Sequence, residues 1–126
     1  MTSAGRMIGV VDDDAAVCDS TRLLLEVCGF NVCTYRNAAD FLRSGPPIAC
    51  LIVDYQMPSM NGLELVSELR KRGQTVPTIM ITATTNPEIE RRATALNVRS
   101  VLNKPLSSGT LVTAVQDAME RSCVPC

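Results

Sequence analysis

Acidic side chains follow two short apolar segments of this 126-residue sequence, at the point where each segment ends. Asp12 and Asp13 follow the first segment, and Asp54 follows the second. Carboxylates that lie close together repel one another, which raises their pKa values unless a cation compensates. Oxygen ligands favour a hard divalent cation, for which Mg²⁺ is the natural candidate. The sequence therefore predicts an Mg²⁺ site formed by these three aspartates, with the backbone carbonyl of Gln56 completing the ligands.

Two further apolar segments lead into a threonine, Thr82, and a lysine, Lys104. Three carboxylates, one divalent cation and one lysine have a formal charge of zero, so such a site can receive a phosphoryl group. In phosphoryl transfer the protein acts mainly by positioning the reactants and neutralising charge. We predict that Asp54 attacks phosphorus with one carboxylate oxygen and that Lys104 pairs with the phosphoryl oxygens. The Thr82 hydroxyl is predicted to donate a hydrogen bond to the same group.

Each of these residues has a simpler structural explanation when it is considered alone. An acidic run after a strand is more often a solvated helix cap, and Asp14 is predicted to have that role. An aspartate at a strand end, a threonine in a loop and a lysine before a proline are each more often ordinary surface residues. Compatible chemistry at four strand ends favours the functional interpretation.

The spacing of apolar residues predicts strands that alternate with helices. The predicted strands span residues 7–11, 30–35, 48–53, 76–81 and 98–102. The predicted helices begin at Asp14, Asn37, Gly62, Asn86, and Ser107 or Ser108, and end near Gly29, Gly45, Gly73 and Asn97. This alternation predicts an α/β fold in which a five-stranded parallel sheet is flanked by five helices. The carboxyl ends of parallel strands converge, which would bring the polar residues together.

Length and composition predict a single domain over residues 1–126. An apolar fraction of 46% with two Tyr, two Phe and no Trp predicts an aliphatic core. The 12 basic and 13 acidic residues form no basic run, which argues against direct nucleic-acid binding by this domain. No apolar run is long enough for a membrane span, and no signal-peptide pattern is present, so we expect a cytoplasmic protein.

Six cysteines are present, but their positions do not suggest a disulfide framework. Cys18, Cys28, Cys33 and Cys50 fall within segments predicted as helix or strand, so we expect reduced and mostly buried thiols. Residues 123–126 have CxxC spacing, but the chain contains no histidine and no second CxxC to complete a zinc site. A structural or tail role is expected for this pair.

Several motifs resemble the successive motifs of response-regulator receiver domains. They are VVDDD (10–14), VDYQMP (53–58) followed by NG (61–62), ITA (81–83) and KP (104–105). The segments CGF (28–30) and ADFL (39–42) are most similar to FixJ-type regulators of nitrogen fixation. The resemblance covers a core of about residues 6–120. It implies a flavodoxin-like strand order of 2-1-3-4-5.

The resemblance also implies a function in two-component signalling. A partner histidine kinase would phosphorylate Asp54 in an Mg²⁺-dependent reaction, and the surface of the fourth helix, fifth strand and fifth helix would then switch. The domain would be a signalling phosphoacceptor rather than an enzyme, although it would assist its own phosphorylation and dephosphorylation. An effector domain or downstream protein would receive the signal, and phosphorylation-dependent dimerisation is a further expectation.

One position departs from the family pattern. Many receivers have a Tyr or Phe three residues before the lysine, and its rotamer reports phosphorylation, whereas this chain has Val101. A β-branched side chain has few rotamers, so we expect the signal to pass from Thr82 through the following loop and helix. Gln56 and Thr84 are predicted to flank the phosphoryl group and to set its lifetime.

Two other classes of protein share some of these features with receiver domains. A haloacid-dehalogenase-like phosphatase also uses an aspartate nucleophile, magnesium, threonine and lysine on a parallel sheet. That family places its nucleophile after the first strand, with a second aspartate two residues later, whereas the acids here are adjacent. A pseudo-receiver that acts only as an interaction module would not need the complete set of Asp12, Asp13, Asp54, Thr82 and Lys104.

Overall fold

The computed structural model describes residues 7–45, 47–84 and 86–123, in which five strands alternate with five helices. The strands are β1 (Met7–Val11), β2 (Asn31–Tyr35), β3 (Cys50–Asp54), β4 (Thr78–Thr82) and β5 (Ser100–Asn103). The helices are α1 (Ala15–Val27), α2 (Ala38–Ser44), α3 (Gly62–Lys71), α4 (Pro87–Ala95) and α5 (Ser108–Cys123). Among these described helices, none is both long and apolar enough to cross a membrane.

The strands form one parallel sheet in the order β2-β1-β3-β4-β5. Val10 lies opposite Ile52, and Asp54 lies opposite Ile81. The chain leaves β1 toward β2 on one side and later places β3 on the other side of β1. A crevice forms at the carboxyl ends of the strands where the direction of winding reverses in this way. The predicted architecture and the strand order implied by the resemblance are both confirmed.

Helices cover both faces of the sheet, which explains why the strands read as continuous apolar runs. Every residue of β3 and β4 is buried. One core cluster joins the sheet to α1 and α5 through residues such as Leu25, Ile52 and Val115. The other joins it to α2, α3 and α4 through residues such as Leu69 and Met80.

Four of the five strands begin later in the sequence than predicted, and for β2 the difference is a single residue. β4 begins at Thr78 because Pro77 has no N–H to donate to a neighbouring strand. β3 and β5 likewise begin two residues later than predicted. Asp54 and Thr82 are consequently the last residues of their strands rather than loop residues.

The predicted helix caps Asp14, Asn37 and Asn86 are confirmed, and Asn61 is a further cap that was not predicted from the sequence. Asp14, Asn37, Asn61 and Asn86 occupy the position before α1, α2, α3 and α4, and each side chain accepts a backbone N–H of the first turn. Residues with positive φ, where the chain leaves α1, α3 and α4, are Gly29 (96°), Gly73 (81°) and Asn97 (62°). These conformations let the backbone turn away and end each helix.

The prediction for the cysteines is confirmed only in part. The four described cysteines are free, and Cys18 and Cys50 are buried. Cys33 is half-buried and Cys28 is exposed, so the expectation of mostly buried thiols is wrong for Cys28. The sequence predicts Cys28 to lie within the first helix, but α1 ends at Val27 and Cys28 is its C-cap. The predicted CxxC pair lies outside the described residues, because Cys126 and the side chain of Cys123 are not among them.

Gly62, the first residue of α3, allows that helix to contact the backbone of β3. Its N–H donates to the Tyr55 carbonyl at 2.8 Å. A Cβ atom at position 62 would lie 2.8 Å from the Asp54 carbonyl oxygen and 3.0 Å from the Tyr55 Cα. Both are backbone atoms, so α3 or the end of β3 would have to move to accept a side chain. Glycine at this position therefore controls where the Asp54 backbone lies.

We predict that Gly62→Ala destabilises the protein by about 2 kcal/mol, because overpacking against a fixed backbone outweighs the better helix propensity of alanine. Gly109→Ala is the matched control, since Gly109 lies in the first turn of α5 and a Cβ there meets nothing within 4 Å. The control should be neutral or stabilising by about 0.5 to 1 kcal/mol. Urea denaturation of both variants measures the difference. Equal stability of the two variants would contradict the close approach at Gly62.

Candidate functional site

The carboxyl ends of β1 and β3 bring three aspartates together. One carboxylate oxygen from each of Asp12, Asp13 and Asp54 lies within 4.8 Å of the others. Asp12 and Asp54 are only 3% and 4% exposed, whereas Asp13 is exposed to solvent. The cluster therefore has a buried floor and one open side.

The buried carboxylate of Asp12 is held by the beginning of α1. The backbone N–H of Asp14 donates to Asp12 Oδ1 at 2.9 Å, and the Asp14 side chain accepts from the N–H of Ala16 at 2.9 Å. The Asp12 N–H donates to the Tyr35 carbonyl at 3.0 Å, which ties it to the end of β2. Asp14 therefore has the capping role predicted for it, and it also orients the neighbouring acid.

Two residues that the sequence did not indicate brace the backbone of the acidic pair. The Cys18 thiol donates to the Asp12 carbonyl at 3.3 Å, and Arg36 Nε donates to the Asp13 carbonyl at 3.3 Å. Cys18 fits the apolar stripe of α1, and Arg36 follows a strand as many surface arginines do. Neither position carries a sequence signal that distinguishes this contact from ordinary packing or solvation.

Lys104 reaches the site from the end of β5. Its Nζ atom lies 3.3 Å from Asp54 Oδ1, in an ion pair that lacks the geometry of a hydrogen bond. Asp54 Oδ1 is fully buried and accepts no hydrogen bond from any described residue. Burying a polar atom without a partner is costly, so this oxygen is suited to a bound cation. The contact between Lys104 and Asp54 links residues 50 positions apart in the chain.

Burial raises the pKa of both buried carboxyl groups above their usual range. For Asp54 the desolvation of the charged form has the largest effect, the nearby Lys104 ammonium opposes it, and the Asp13 charge adds to it. For Asp12 desolvation again dominates, and the hydrogen bond from the Asp14 backbone opposes it. The fold thus holds these acids at a cost that additional positive charge would relieve.

The donor set fits a hard divalent cation. It consists of carboxylate oxygens, one of them exposed and one buried without a hydrogen bond. The Gln56 backbone opposes the rise in the pKa of Asp54. The side chain of Gln56 is exposed. A metal-binding role for the Gln56 carbonyl stays a prediction.

Thr82 lies at the site, but its hydroxyl is engaged with the following loop. It donates to the Thr84 carbonyl at 3.2 Å and accepts from the Thr84 N–H at 3.1 Å. The Thr82 side chain is buried, whereas Thr84 is exposed. The Thr82 carbonyl accepts the Lys104 N–H at 2.8 Å, next to the cis peptide bond between Lys104 and Pro105. Any hydrogen bond from the Thr82 hydroxyl to a group on Asp54 would require it to leave the Thr84 carbonyl.

Val101, the residue that departs from the family pattern, is half-buried in β5. It packs against the cluster shared by α2, α3 and α4, to which Ile89 and Ala93 of α4 also belong. Its short, branched side chain adopts few rotamers. Val101 thus belongs to the apolar cluster against which α4 packs.

Comparison with known proteins gives a family for this fold and site. The sequence pattern of the family described as "Response regulator receiver domain" matches residues 8–116. The transcriptional regulatory protein FixJ of Azorhizobium caulinodans is 35% identical over 117 residues, which cover 91% of this chain and 56% of that protein. FixJ of Bradyrhizobium diazoefficiens is 30% identical over 124 residues, covering 97% of this chain and 60% of that protein. The chain thus spans a little over half the length of these curated relatives.

Solved structures show the same fold. A CheY-like response regulator receiver domain protein from Methanospirillum hungatei superposes with a TM-score of 0.86 at 24% identity, over 92% of this chain and 94% of that one. The response regulator StyR superposes with a TM-score of 0.85 at 32% identity, over 91% of this chain and 59% of that one. Since the family pattern covers most of the sequence and the strand order is that of receiver domains, the chain belongs to the response regulator receiver domain family of two-component signalling.

Proposed function

We propose that Asp54 is the residue that accepts the phosphoryl group, and that a partner histidine kinase donates it. One observation carries this proposal: Asp54 Oδ1 is buried without a hydrogen bond, 3.3 Å from Lys104 Nζ and beside Asp12 and Asp13. Asp54 thus combines a raised pKa with a positive neighbour and a cluster that attracts a cation. Asp13 is exposed and Asp14 is committed to capping α1, which leaves both less suited to the reaction.

In the proposed reaction a carboxylate oxygen of Asp54 forms a bond to phosphorus, while the bond between phosphorus and the donor's imidazole nitrogen breaks. The electron pair of that bond stays on the imidazole, which takes up a proton. These 126 residues contain no histidine, so the donor lies outside them. Lys104 stabilises the charge on the moving phosphoryl oxygens from the side of β5.

Asp12, Asp13 and Asp54, together with the Gln56 carbonyl, would hold Mg²⁺, which supplies positive charge for the phosphoryl oxygens when it is bound. Other residues of the chain hold these ligands in position before the ion binds. The Asp14 N–H orients the Asp12 carboxylate, and Gly62 allows α3 to support the Asp54 backbone.

The domain is a signalling module, and we propose that it also assists its own phosphorylation and dephosphorylation. Hydrolysis of the phosphoaspartate requires a water molecule in line with the bond between oxygen and phosphorus. Gln56 and Thr84 are both exposed, and we propose that their side chains flank the phosphoryl group, where this water must approach. Their size and polarity would set the lifetime of the phosphorylated state.

The proposed switch begins at Thr82. Its hydroxyl turns toward a phosphoryl oxygen and leaves the Thr84 carbonyl, which releases the loop before α4. Val101 cannot relay the change by swinging between buried and exposed rotamers. The surface formed by α4, β5 and α5 therefore changes mainly on its α4 side.

The wider setting is inferred from the relatives. Several are named as transcriptional regulators and are longer than this chain, so we propose that an effector domain or a downstream protein completes the pathway. Residues 1–126 would act as one receiver domain, with a core at about residues 6–120, in the cytoplasm. Dimerisation after phosphorylation would pass the signal on, and this domain would not itself contact nucleic acid.

We predict that Asp54→Asn abolishes phosphorylation, because the amide is not a nucleophile toward phosphorus. Incubation with Mg²⁺ and acetyl phosphate, read by intact mass, should show one added phosphoryl group on the wild-type protein and none on the variant. Asp14→Asn is the matched control, since asparagine also caps helices and this variant should be phosphorylated normally. Phosphorylation of Asp54→Asn to the wild-type extent would refute the assignment, and multiple turnovers would favour the phosphatase alternative.

Phosphorylation should require Mg²⁺, so excess EDTA is expected to remove the mass gain. Asp13→Ala should reduce the rate of phosphorylation at least tenfold at 1 mM Mg²⁺, as an order-of-magnitude expectation for losing a ligand or its oriented water. Asp19→Ala, which removes an exposed carboxylate from α1 outside the cluster, should leave the rate unchanged. An undiminished rate in EDTA would exclude the metal requirement.

The raised pKa of Asp54 gives a prediction about stability without metal. A carboxyl group whose pKa is higher in the folded than in the unfolded state holds its proton longer when folded, so the free energy of unfolding falls as pH rises above the ordinary aspartate pKa. Asparagine does not titrate. In EDTA, the free energy of unfolding of Asp54→Asn should therefore exceed that of wild type by more at pH 7 than at pH 4. Urea denaturation at the two pH values measures this. A variant that is less stable than wild type at pH 7 would show that the ion pair with Lys104 outweighs the burial cost.

A further inference from the structure

Arg70, in the last turn of α3, contacts two separate segments of the chain through its guanidinium group. Nε donates to the Leu96 carbonyl at 2.8 Å, and Nη2 lies 3.5 Å from the Asn97 carbonyl. Nη1 donates to the Gln74 carbonyl at 3.0 Å and to the Val76 carbonyl at 3.3 Å. All four acceptors are backbone oxygens, and no carboxylate among the described residues is ion-paired with Arg70. The side chain is half-buried, and this burial lowers the pKa of Arg70.

These contacts place a positive charge at the carboxyl end of α4. The last carbonyls of a helix have no partner within the helix and carry the negative end of its dipole. Leu96 caps α4, and Asn97 follows it with a φ of 62°. The carbonyls of Gln74 and Val76 belong to the connection that leads into β4. One guanidinium therefore joins the ends of α3 and α4 to the beginning of β4.

The rest of α4 is attached more weakly. Of the nine residues in this helix only Ile89 and Ala93 are buried, whereas α3 has five buried residues among ten. A surface groove of about 520 Å³ separates the two helices, and Met60, Leu63 and Ala95 are among its lining residues. The packing of α4 therefore does not by itself fix the angle between α4 and α3.

The amino end of α4 is held by a different kind of contact. The Asn86 side chain and carbonyl accept the N–H groups of Glu88 and Glu90, and the preceding loop is held by the bonds between Thr82 and Thr84. These are hydrogen bonds between neutral groups that are close in the sequence. Thr82 lies at the phosphorylation site, whereas Arg70 lies at the opposite end of α4.

We infer that Arg70 is a clamp on the carboxyl end of α4, and that the response to phosphorylation is a swing of the amino end of α4 about this clamp. The swing rests on the proposed function of Asp54 and Thr82, whereas the clamp is a property of the unphosphorylated fold. The two parts can therefore fail separately. A lysine at position 70 would keep the charge but lose the planar fork that reaches carbonyls in two segments at once.

Amide hydrogen exchange tests both parts. Three reporter amides donate hydrogen bonds at the carboxyl end of α4, those of Leu96, Asn97 and Val98. In the protein without phosphoryl mimic, Arg70→Lys and Arg70→Met should speed exchange of these amides by about tenfold or more, as expected when charge-assisted bonds to a helix end are lost. Arg72→Lys and Arg72→Met are the matched controls, because Arg72 lies two residues away and pairs only with Glu68 in an exposed i,i+4 ion pair.

Exchange of the Leu51 and Ile52 amides in the central strand reports global stability. If it is the same in a variant as in wild type, the variant is as stably folded, and a change at the three reporters is local. Equal exchange of the three reporters in wild type and both Arg70 variants would overturn the clamp. If either Arg70→Lys or Arg70→Met lowers exchange protection throughout the core, the clamp is tested with the other variant.

Beryllofluoride with Mg²⁺, a mimic of the phosphoryl group, tests the swing. In wild type it should change exchange at Glu88 and Glu90 while the three reporters change less than twofold. In the Arg70 variants the change should extend to the reporters. Equal changes at both ends of α4 in wild type would overturn the swing. If beryllofluoride leaves amide exchange unchanged throughout residues 83–98 of the wild-type protein, the proposed switch is contradicted. The clamp would still be tested by comparing exchange in wild type and the Arg70 variants without the mimic.

Discussion

The carboxylates of Asp12, Asp13 and Asp54 stand within 4.8 Å of one another, and their repulsion costs folding free energy that the rest of the molecule must offset. Burial makes the cost greater, because two of the three carboxyl groups are almost inaccessible to water. The Lys104 ammonium, the Asp14 N–H and the positive end of the α1 dipole oppose it in part. The site thus remains short of positive charge, which is a physical reason for a cation to bind there.

This strained cluster can exist because a well-packed sheet holds it. β1 and β3 are neighbours, so their carboxyl ends cannot separate without breaking the middle of the sheet. All residues of β3 and β4 are buried, and α3 rests directly on the Asp54 backbone where Gly62 has no side chain. An aliphatic core of this size supplies hydrophobic stabilisation that does not depend on the charges. The chemistry is placed at the edge of the most rigid part of the fold.

Signalling requires that some element respond to the cluster while the sheet does not. α4 is suited to this role because it buries few residues and its two ends are attached by different means. The amino end follows a loop that is bonded to the Thr82 hydroxyl at the end of β4. The carboxyl end contacts Arg70, whose acceptors are remote from Asp54. Since Val101 stands where many family members have an aromatic residue, we propose that the attachment of α4 is the main route from the site to the surface.

The sequence by itself determined the local features of this protein. Apolar runs located the strands to within about two residues, and Asp14, Asn37 and Asn86 marked helix starts, because capping involves residues two or three positions apart. The residue types at four strand ends also predicted which side chains would share one edge, since parallel strands align their carboxyl ends. Cys28 was misplaced because the end of a helix is set by its cap rather than by apolar spacing.

Only the tertiary structure decided how these side chains engage their partners. The ion pair between Asp54 and Lys104 joins the last residue of β3 to the residue that follows β5, and these two strands are not neighbours. No local pattern encodes its 3.3 Å distance. The bond from Thr82 to Thr84 is close in sequence, yet whether the hydroxyl turns to the loop or to the site depends on the groups packed around it. Arg70 reaches Leu96 and Asn97 because α3 and α4 end side by side, which follows from the crossover of the chain over β4. Such contacts arise from the packing of segments distant in the sequence, and composition and periodicity contain no information about them.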